Sequence, residues 1–508
     1  MFIGSFGIIP GRLCLDSARE MKPEVNPRHV FWFLVGYFAL HLLFRCFVSD
    51  SVELDEAEQL LLTQELRLGY ASQPPLYTWL LAGVFSLVGK SVFALALVKN
   101  SLLFLTYFFV YSSAKEITND TNRALIAMVS LLLIPQIFWE SQRDLTHSVL
   151  GTTVASCTLF IAVRLFKTGK LKYYALFGLC AGLGILSKYN YGVFLVALLL
   201  SACSVRSVRL RLWNPNVFVS IFFLLLITAP HMYWAVTNVK ATLSQVDKFQ
   251  MSRSLGLIPS YLLGLQKLVE ATAAFVGVLI PGYALFFYRK GTGVTVTGEE
   301  SDSALLIKRT LMAGLFLCLL MILFFKVTIF KDRWMQPLLF ATPVYLATLS
   351  WTTLSNTRKY VRFCLLVAVV VLLLMPGRTI FASHLGDYNR LNSPYSAFSA
   401  QLREVGFNKG VIVTQSRLVG GNLKMFFPDS VVLAPEVPLF SYPTDSDWLI
   451  VWDATKRAEL PEGLQKIAAR LVPADLTVLQ PRFIESNCNY STDRTMRLGF
   501  LVIRKEAR

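Results

Sequence analysis

Apolar segments long enough to cross a membrane recur along this chain from about residue 30 to residue 380. A membrane-spanning helix needs about 20 apolar residues. Eleven segments approach that length, at about 30–48, 92–114, 124–139, 145–166, 173–187, 190–203, 216–234, 264–288, 307–326, 334–352 and 361–380. Only 16% of the 508 residues are charged, whereas soluble domains carry about 25%. The sequence therefore predicts a polytopic α-helical membrane protein with about eleven spans.

Basic residues lie in every second loop between these segments. If the N-terminal segment 1–29 is cytoplasmic, the cytoplasmic loops contain Lys115, Arg123, Arg164, Lys167, Lys170, Lys172, Arg206, Arg209, Arg211, Arg289, Lys290, Lys308, Arg309, Arg358, Lys359 and Arg362. This distribution follows the positive-inside rule. It explains the net charge of +17 without a nucleic-acid partner. An odd number of spans then places the C-terminus outside the cytoplasm.

Two further regions differ from these spans. Residues 76–89 are apolar but too short to cross a bilayer, so they predict a helix in or on the outer leaflet that begins at Pro74 and Pro75. From about residue 381 charges become frequent. Strand-like runs alternate there with helical patterns, at 410–416, 430–435, 447–453 and 494–505. We predict an extracytoplasmic α/β domain over 381–508, after a transmembrane domain over 30–380.

The first outer loop, residues 49–75, is strongly acidic. Its charged residues are Asp50, Glu53, Asp55, Glu56, Glu58, Glu65 and a single Arg67. A carboxylate at hydrocarbon depth costs about 2–4 kcal/mol, so acids near the bilayer indicate a functional site. The apolar spacing over 54–68 predicts an interfacial helix with Asp55 and Glu56 in its first turn. The alternative is that these two carboxylates only stabilise the N-terminus of that helix.

Unusual polar residues also gather in the other outer loops. They are Glu140, Arg143, Asp144, His147, Lys188, Lys331 and Arg333, with His231 at the outer end of a span. Cations at this depth favour an anionic ligand such as a lipid phosphate. The alternatives are a loop salt bridge between Arg143 and Asp144, snorkelling of Lys188 and interfacial anchoring at Trp334. His147 has no His or Cys neighbour at a spacing suited to zinc.

The first outer loop and the residues after it carry a recognisable motif. The Asp–Glu pair after the first span, followed by GYxxxPPLYTWL at residues 69–80, resembles the GT-C membrane glycosyltransferases. The branch concerned contains the protein O-mannosyltransferases and the bacterial lipid A aminoarabinose or galacturonosyl transferases. The resemblance covers about the first 200 residues and, more loosely, the span count and the outer C-terminal domain. It implies a GT-C fold, the inner (plasma) membrane of a bacterium, and a polyprenyl-phosphate sugar donor that enters from the bilayer.

The resemblance also implies roles for individual residues. Asp55 matches the essential acid of the family, and we predict that Asp55, Glu56 and Asp144 are catalytic. A carboxylate can remove the proton of an acceptor hydroxyl as its oxygen attacks the anomeric carbon. The lipid phosphate that leaves needs no acid if a cation or a metal ion stabilises it. The residues predicted to bind the donor phosphate or the acceptor are Tyr70, Arg143, Lys188, Lys331, Arg333 and His231.

The chain departs from the family pattern just before Pro74. Ser72 and Gln73 stand where the aminoarabinose transferases carry Glu-Lys. A carboxylate and a phosphate-facing cation are therefore missing at that position. This argues against aminoarabinose as the sugar, and it leaves open whether a divalent metal ion is a cofactor.

The predicted function is the transfer of a single sugar from a polyprenyl-phosphate donor to an acceptor in the cell envelope, on the outer face of the inner membrane. The acceptor is lipid A, the lipopolysaccharide core, another glycan or a protein. The alternative is a multi-span transporter or lipid flippase, for which inverted repeats and charges at mid-membrane are expected. No convincing repeat is present in the sequence. A non-catalytic membrane anchor is the third interpretation, and it leaves the acidic loops beside outer cations unexplained.

Overall fold

The structure, a computed structural model, describes residues 24–70, 73–243, 256–288, 301–349, 356–472 and 479–505. Residues 1–23 of the predicted N-terminal segment lie outside these ranges, as does Ser72. Helices dominate the chain up to residue 385, and a mixed β-sheet follows them.

The helices that precede the sheet are α1 (Pro27–Val48), α2 (Leu54–Leu62), α3 (Leu76–Val88), α4 (Val92–Thr118), α5 (Thr121–Ser130), α6 (Ser141–Arg143), α7 (His147–Thr168), α8 (Leu171–Ser187), α9 (Tyr191–Ser204), α10 (Arg206–Leu212), α11 (Val217–Thr237), α12 (Val239–Leu243), α13 (Leu257–Val276), α14 (Leu279–Phe287), α15 (Asp302–Phe325), α16 (Gln336–Leu339), α17 (Thr342–Thr348), α18 (Thr357–Ile380) and α19 (Ala382–Leu385). The intervening chain forms 3₁₀ turns at Leu131–Leu133 and Asp332–Trp334 and a π-helical turn at Gln136–Glu140.

Six of these helices are long and apolar enough to cross a membrane: α1, α4, α7, α11, α15 and α18. Within the described residues, three bent pairs raise the number to nine if each pair is one span. They are Thr121–Leu133 with Gln136–Arg143, α9 with α10, and α13 with α14, bent by 69°, 114° and 47°. The chain is therefore an integral membrane protein with several apolar helices.

The number of spans differs from the eleven apolar segments of the sequence. The segment at 173–187 corresponds to α8, a shorter apolar helix of 17 residues. The segment at 334–352 is divided between α16 and α17, because Pro337 and Pro343 each lie in the first turn of a new helix. The exact number of spans stays a prediction. The short apolar helix expected at 76–89 is present as α3.

The helix expected in the first outer loop is α2, and it joins the membrane helices to the C-terminal region. It begins at Leu54 as predicted but ends at Leu62, since the next residues form a turn. Leu60, Leu61 and Leu62 are all fully buried, and each lies in a different hydrophobic cluster. One cluster is the core of the membrane helices, and the other two contain alternate residues of the sheet. α2 is thus fixed from both sides.

The C-terminal region is an α/β domain, as the sequence predicts. Its elements are α20 (Tyr395–Glu404), β1 (Val411–Thr414), α21 (Arg417–Phe426), β2 (Val431–Leu433), β3 (Trp448–Asp453), α22 (Glu462–Leu471), β4 (Arg482–Asn487) and β5 (Thr495–Ile503). The five strands have the order β2-β1-β3-β5-β4. β1 pairs in parallel with β2 and β3, whereas β5 pairs antiparallel with β3 and β4. β4 is absent from the sequence prediction because this edge strand is polar and none of its residues is fully buried.

The α/β domain docks on α2 through α21. A Cβ added to Gly421 would lie 2.4 Å from the Cα of Ala57, so only glycine permits this close approach. The neighbouring Asn422 accepts a hydrogen bond from the backbone N–H of Val52 at 2.9 Å. The domain therefore holds the helix that carries the acidic pair.

Candidate active site

The first turn of α2 orients the acids of the first outer loop. Glu53 precedes the helix, and its backbone N–H donates to Oε2 of Glu56 at 3.1 Å. The backbone N–H of Asp55 donates to Oδ1 of Asp144 at 2.9 Å. The first N–H groups of a helix have no partner within it and carry partial positive charge, so carboxylates are favoured acceptors there. The N-terminus of α2 thus brings acids of two outer loops together.

Glu56 is locked between two cations. Its side chain is fully buried, and it forms ion pairs with Arg45 of α1 and Lys99 of α4, both at 2.9 Å. Burial alone would raise the pKa of Glu56, but the charges of Arg45 and Lys99 outweigh that effect and lower it to about 2. Both carboxylate oxygens are engaged. This geometry suits a residue that anchors α2 to the membrane helices better than one that accepts a proton.

Asp144 reaches the cluster from the second outer loop. Pro135 interrupts the preceding helix, and the chain turns through the π-helical segment Gln136–Glu140 before it arrives at Asp144. π-Helical turns occur frequently at functional sites. Burial, together with the charges of Asp55 and Glu53, raises the pKa of Asp144 to about 7. The pKa of this carboxyl therefore lies well above the usual range of an aspartate.

A cation from the C-terminal region completes the cluster. Nη1 of Arg390 lies 3.1 Å from Oε2 of Glu53 and 3.2 Å from Oδ2 of Asp144. The pKa of Glu53 is raised overall. Burial makes the largest contribution and the charge of Glu56 adds to it, whereas Arg390 acts in the opposite direction. One guanidinium thus bridges two buried carboxyl groups that would otherwise repel each other.

Asp55 differs from its acidic neighbours. Its side chain is half-buried, and in the described part of the chain no hydrogen bond or ion pair engages its carboxylate. Asp55 lies close enough to Lys331 to affect its pKa. That pKa is lowered overall by burial and by the charge of Arg333, and the charge of Asp55 opposes this effect. Asp55 is therefore an available carboxylate that faces cations from another outer loop.

A cavity of about 510 Å³, which we call the large cavity, lies beside the acidic cluster. Its charged lining residues are Glu140, Arg143, Asp144, Lys267, Glu270, Lys331, Asp332 and Arg333. Arg143 is paired with Glu140 at 2.7 Å. Lys331 and Arg333 have no side-chain hydrogen bond or ion pair with any residue that the structure describes. The large cavity thus joins one acid of the cluster to two available cations.

Three other predicted binding residues do not line the large cavity. The hydroxyl of Tyr70 donates to the backbone oxygen of Glu65 at 3.0 Å, and its ring is buried against the α/β domain. Lys188 donates to Oγ of Ser148. His231 contacts the backbone oxygen of Leu68 through Nδ1 at 2.9 Å, and its ring stacks on Trp234. Substrate binding by Tyr70, Lys188 and His231 stays a prediction.

Two arginines of the C-terminal region that contact the first outer loop are absent from the residues predicted from the sequence. Arg390 bridges Glu53 and Asp144, and Arg417 forms an ion pair with Glu58 at 3.2 Å. No local pattern signals these partners, because each pair is separated by at least 246 residues of sequence. Among the described residues, no group of three His, Cys, Asp or Glu side chains is arranged to hold a metal ion.

The known proteins that this chain resembles in sequence are all described as glycosyltransferases. Residues 72–234 match the family described as Dolichyl-phosphate-mannose-protein mannosyltransferase. The lipopolysaccharide core galacturonosyltransferase RgtB of Rhizobium johnstonii is 32% identical over 468 residues, which are 90% of this chain and 94% of that protein. RgtA of the same organism, also a lipopolysaccharide core galacturonosyltransferase, is 28% identical over 88% of this chain and 91% of its own length.

Solved structures of similar fold include ArnT from Cupriavidus metallidurans. Its apo structure has a TM-score of 0.60, and its complex with undecaprenyl phosphate has a TM-score of 0.57. Both are 13% identical and cover 94% of this chain and 98% of ArnT. These matches confirm the predicted resemblance to GT-C membrane glycosyltransferases and the predicted glycosyltransferase activity. They set aside the transporter, flippase and membrane-anchor alternatives.

Proposed function

We propose that this chain, which belongs to the family of the lipopolysaccharide core galacturonosyltransferases, transfers a galacturonosyl residue from a polyprenyl phosphate to the lipopolysaccharide core. The reaction takes place on the outer face of the bacterial inner membrane, with the α/β domain outside the cytoplasm. The sugar and the acceptor follow the relatives RgtB and RgtA. The lipid donor follows the fold shared with ArnT, whose complex contains undecaprenyl phosphate. The observation that carries the proposal is the available carboxylate of Asp55 beside the cations of the large cavity.

Lys331 and Arg333 bind the donor phosphate in this proposal. They line the large cavity, and the described residues offer them no competing acid at ion-pair distance. A guanidinium and an ammonium form charge-assisted hydrogen bonds with phosphate oxygens. Their charge stabilises the phosphate as it leaves the sugar, so the leaving group needs no proton.

Asp55 is the general base. The acceptor hydroxyl oxygen forms a bond to the anomeric carbon, and the bond between that carbon and the phosphate oxygen breaks. The hydroxyl proton goes to Asp55, and the electron pair of the broken bond stays with the polyprenyl phosphate. Glu56 is engaged by two cations at 2.9 Å, and Asp144 is bonded to Arg390 and to the Asp55 backbone. We therefore assign positioning roles to Glu56 and Asp144.

The test is transfer by the purified full-length protein in detergent micelles. The donor is polyprenyl-phosphate galacturonic acid, the acceptor is a lipopolysaccharide core that lacks this sugar, and mass spectrometry measures the product. Asp55→Asn should lower the turnover number by about 10²- to 10⁴-fold, the contribution of a general base. Asp50→Asn is the matched control, because Asp50 lies in the same loop and is exposed. Undiminished transfer by Asp55→Asn, or no transfer by the wild type, would overturn the proposal.

A further inference from the structure

A second cavity, which we call the α1–α18 cavity, lies between the outer ends of α1 and α18 and the start of α4. Its apolar lining residues are Phe44, Val48, Ala96, Met375, Pro376 and Leu391. The other lining residues, which we call its polar part, are polar or charged. The function proposed above uses the large cavity and gives no role to this one.

The polar part carries more positive than negative charge. Its lining contains the cations Arg45, Lys99, Arg143 and Arg378 and only two carboxylates, Glu53 and Glu56. Since Glu56 is shared by two of the cations and Glu53 is paired with Arg390, no lining acid is left for Arg378. A cavity with this surplus favours an anionic ligand.

Arg378 is the available cation of the α1–α18 cavity. It lies in the last turn of α18, and its guanidinium sits 5.8 Å from the ring centroid of Trp139. Within the described ranges it has no ion pair and no side-chain hydrogen bond. The aromatic ring holds the guanidinium beside the cavity without satisfying its five N–H donors.

Neutral donors accompany Arg378. His41 lines the cavity and is 6% exposed, and its Nε2 has no hydrogen-bond partner among the residues that the structure describes. Leaving a buried polar atom unpaired costs about 1–3 kcal/mol, so this atom is a candidate ligand contact. The side-chain amide of Gln142, also in the lining, donates one N–H to Asn100 at 3.0 Å. Its second N–H remains for a ligand.

The size and position of the cavity indicate how large the bound group is and to which molecule it belongs. Its volume of about 60 Å³ corresponds to roughly four to six water molecules, which is room for a carboxylate group but not for a sugar ring. Glu53 and Glu56 of the acidic cluster form part of its wall, and Arg143 lines both cavities. A group in the α1–α18 cavity would therefore belong to a sugar whose ring lies at the cluster.

We propose that the α1–α18 cavity binds the carboxylate of the uronic acid on the donor, and that Arg378 selects this sugar over its neutral counterpart. This inference rests on the proposed function, because it requires a uronosyl donor. His41 and Gln142 donate to the same carboxylate. Arg378 has no part in proton transfer or in binding the donor phosphate.

The experiment compares two donors that differ only at this carboxylate, polyprenyl-phosphate galacturonic acid and polyprenyl-phosphate galactose. The ratio of their kcat/KM values measures selectivity in the purified full-length protein. Arg378→Met should lower the ratio by roughly 10- to 100-fold, the worth of a hydrogen bond between charged groups, mainly through KM of the uronosyl donor. Arg378→Lys should retain part of the selectivity. Arg362→Met is the control, since Arg362 is an exposed residue at the opposite end of α18.

The outcomes separate the two proposals. If the wild-type protein transfers neither sugar, the proposed function is wrong and this inference falls with it. If the wild type transfers galacturonic acid and Arg378→Met keeps the wild-type ratio, only the carboxylate site is wrong. An equal loss with both donors would also overturn the inference, because Arg378 would then serve a group that both donors share, such as the lipid phosphate. Size-exclusion chromatography of each variant checks folding.

Discussion

The triad of Arg45, Glu56 and Lys99 offers a direct test of whether Glu56 has a structural role while Asp55 has the catalytic one. We predict that Glu56→Gln destabilises the protein strongly, because Arg45 and Lys99 would both lose the carboxylate that they share. Lys99 is only 3% exposed, so its charge would remain buried without this carboxylate. A carboxyl whose pKa falls from 4.5 to about 2 on folding contributes about 3 kcal/mol to the free energy of unfolding at neutral pH. Breaking a buried ion pair costs about 3–5 kcal/mol. The two magnitudes agree.

The assay is a double-mutant cycle followed by thermal unfolding in detergent. Lys99→Met alone leaves Glu56 buried with one cation, whereas Glu56→Gln with Lys99→Met removes the pair together. We expect the double variant to be more stable than the sum of the single losses predicts, by about 1–3 kcal/mol. Lys90→Met is the control for the loss of an ammonium group near α4. Lys90 lies just before the first residue of that helix and is not part of the triad.

The sign of the pH dependence follows from the lowered pKa of Glu56. The stabilisation is fully present above pH 4.5 and is lost as the pH falls towards 2, and Glu56→Gln should not show that loss. Strictly additive single losses would refute the buried triad. A Glu56→Gln protein with wild-type stability but no turnover would show instead that Glu56 is catalytic, as the sequence alone predicts.

Three further predictions concern the cluster and its surroundings. Burial and like charges raise the pKa of Asp144 from 3.8 to about 7, so between these values the native state retains a proton that the unfolded chain has lost. Thermal stability should therefore fall as the pH rises from about 4 to about 7 and change little above that, and Asp144→Asn should flatten this dependence. Gly421→Ala places a Cβ 2.4 Å from Ala57, so limited proteolysis should release the α/β domain faster, while wild-type protection would contradict the docking. Lys331→Met and Arg333→Met should each raise the donor KM and lower turnover by about 10-fold or more, and unchanged donor kinetics would remove that residue from the phosphate site.

The predictable parts of the molecule are those determined by local sequence patterns. Apolar length and loop charge predict a polytopic helical protein, and the alternation of strand-like and helical runs predicts the α/β domain. The start of α2 at Leu54 follows from apolar spacing. The same rules fail where a span is broken: Pro337 and Pro343 divide an apolar run into α16 and α17. A window of hydropathy counts such a run as one helix.

The candidate site is only partly predictable, because its ion pairs connect distant parts of the chain. The acidic pair and Asp144 are visible as carboxylates in outer loops, and Lys331 and Arg333 as cations against the positive-inside trend. Arg390 has no such signal, since it follows the last span in a region where charges are ordinary. Only the docking of the α/β domain on α2 brings it to Glu53.

The structure gives the two adjacent acids of α2 different surroundings. Successive residues of a helix point about 100° apart, so Glu56 contacts Arg45 of α1 and Lys99 of α4, whereas the charge of Asp55 acts on Lys331 and Asp144. An acid held ionised by two cations is a poor proton acceptor, and an acid without a partner is a better one. Sequence adjacency suggests a cooperating pair. The helix geometry instead supports the proposal that Glu56 anchors α2 while Asp55 acts as the base.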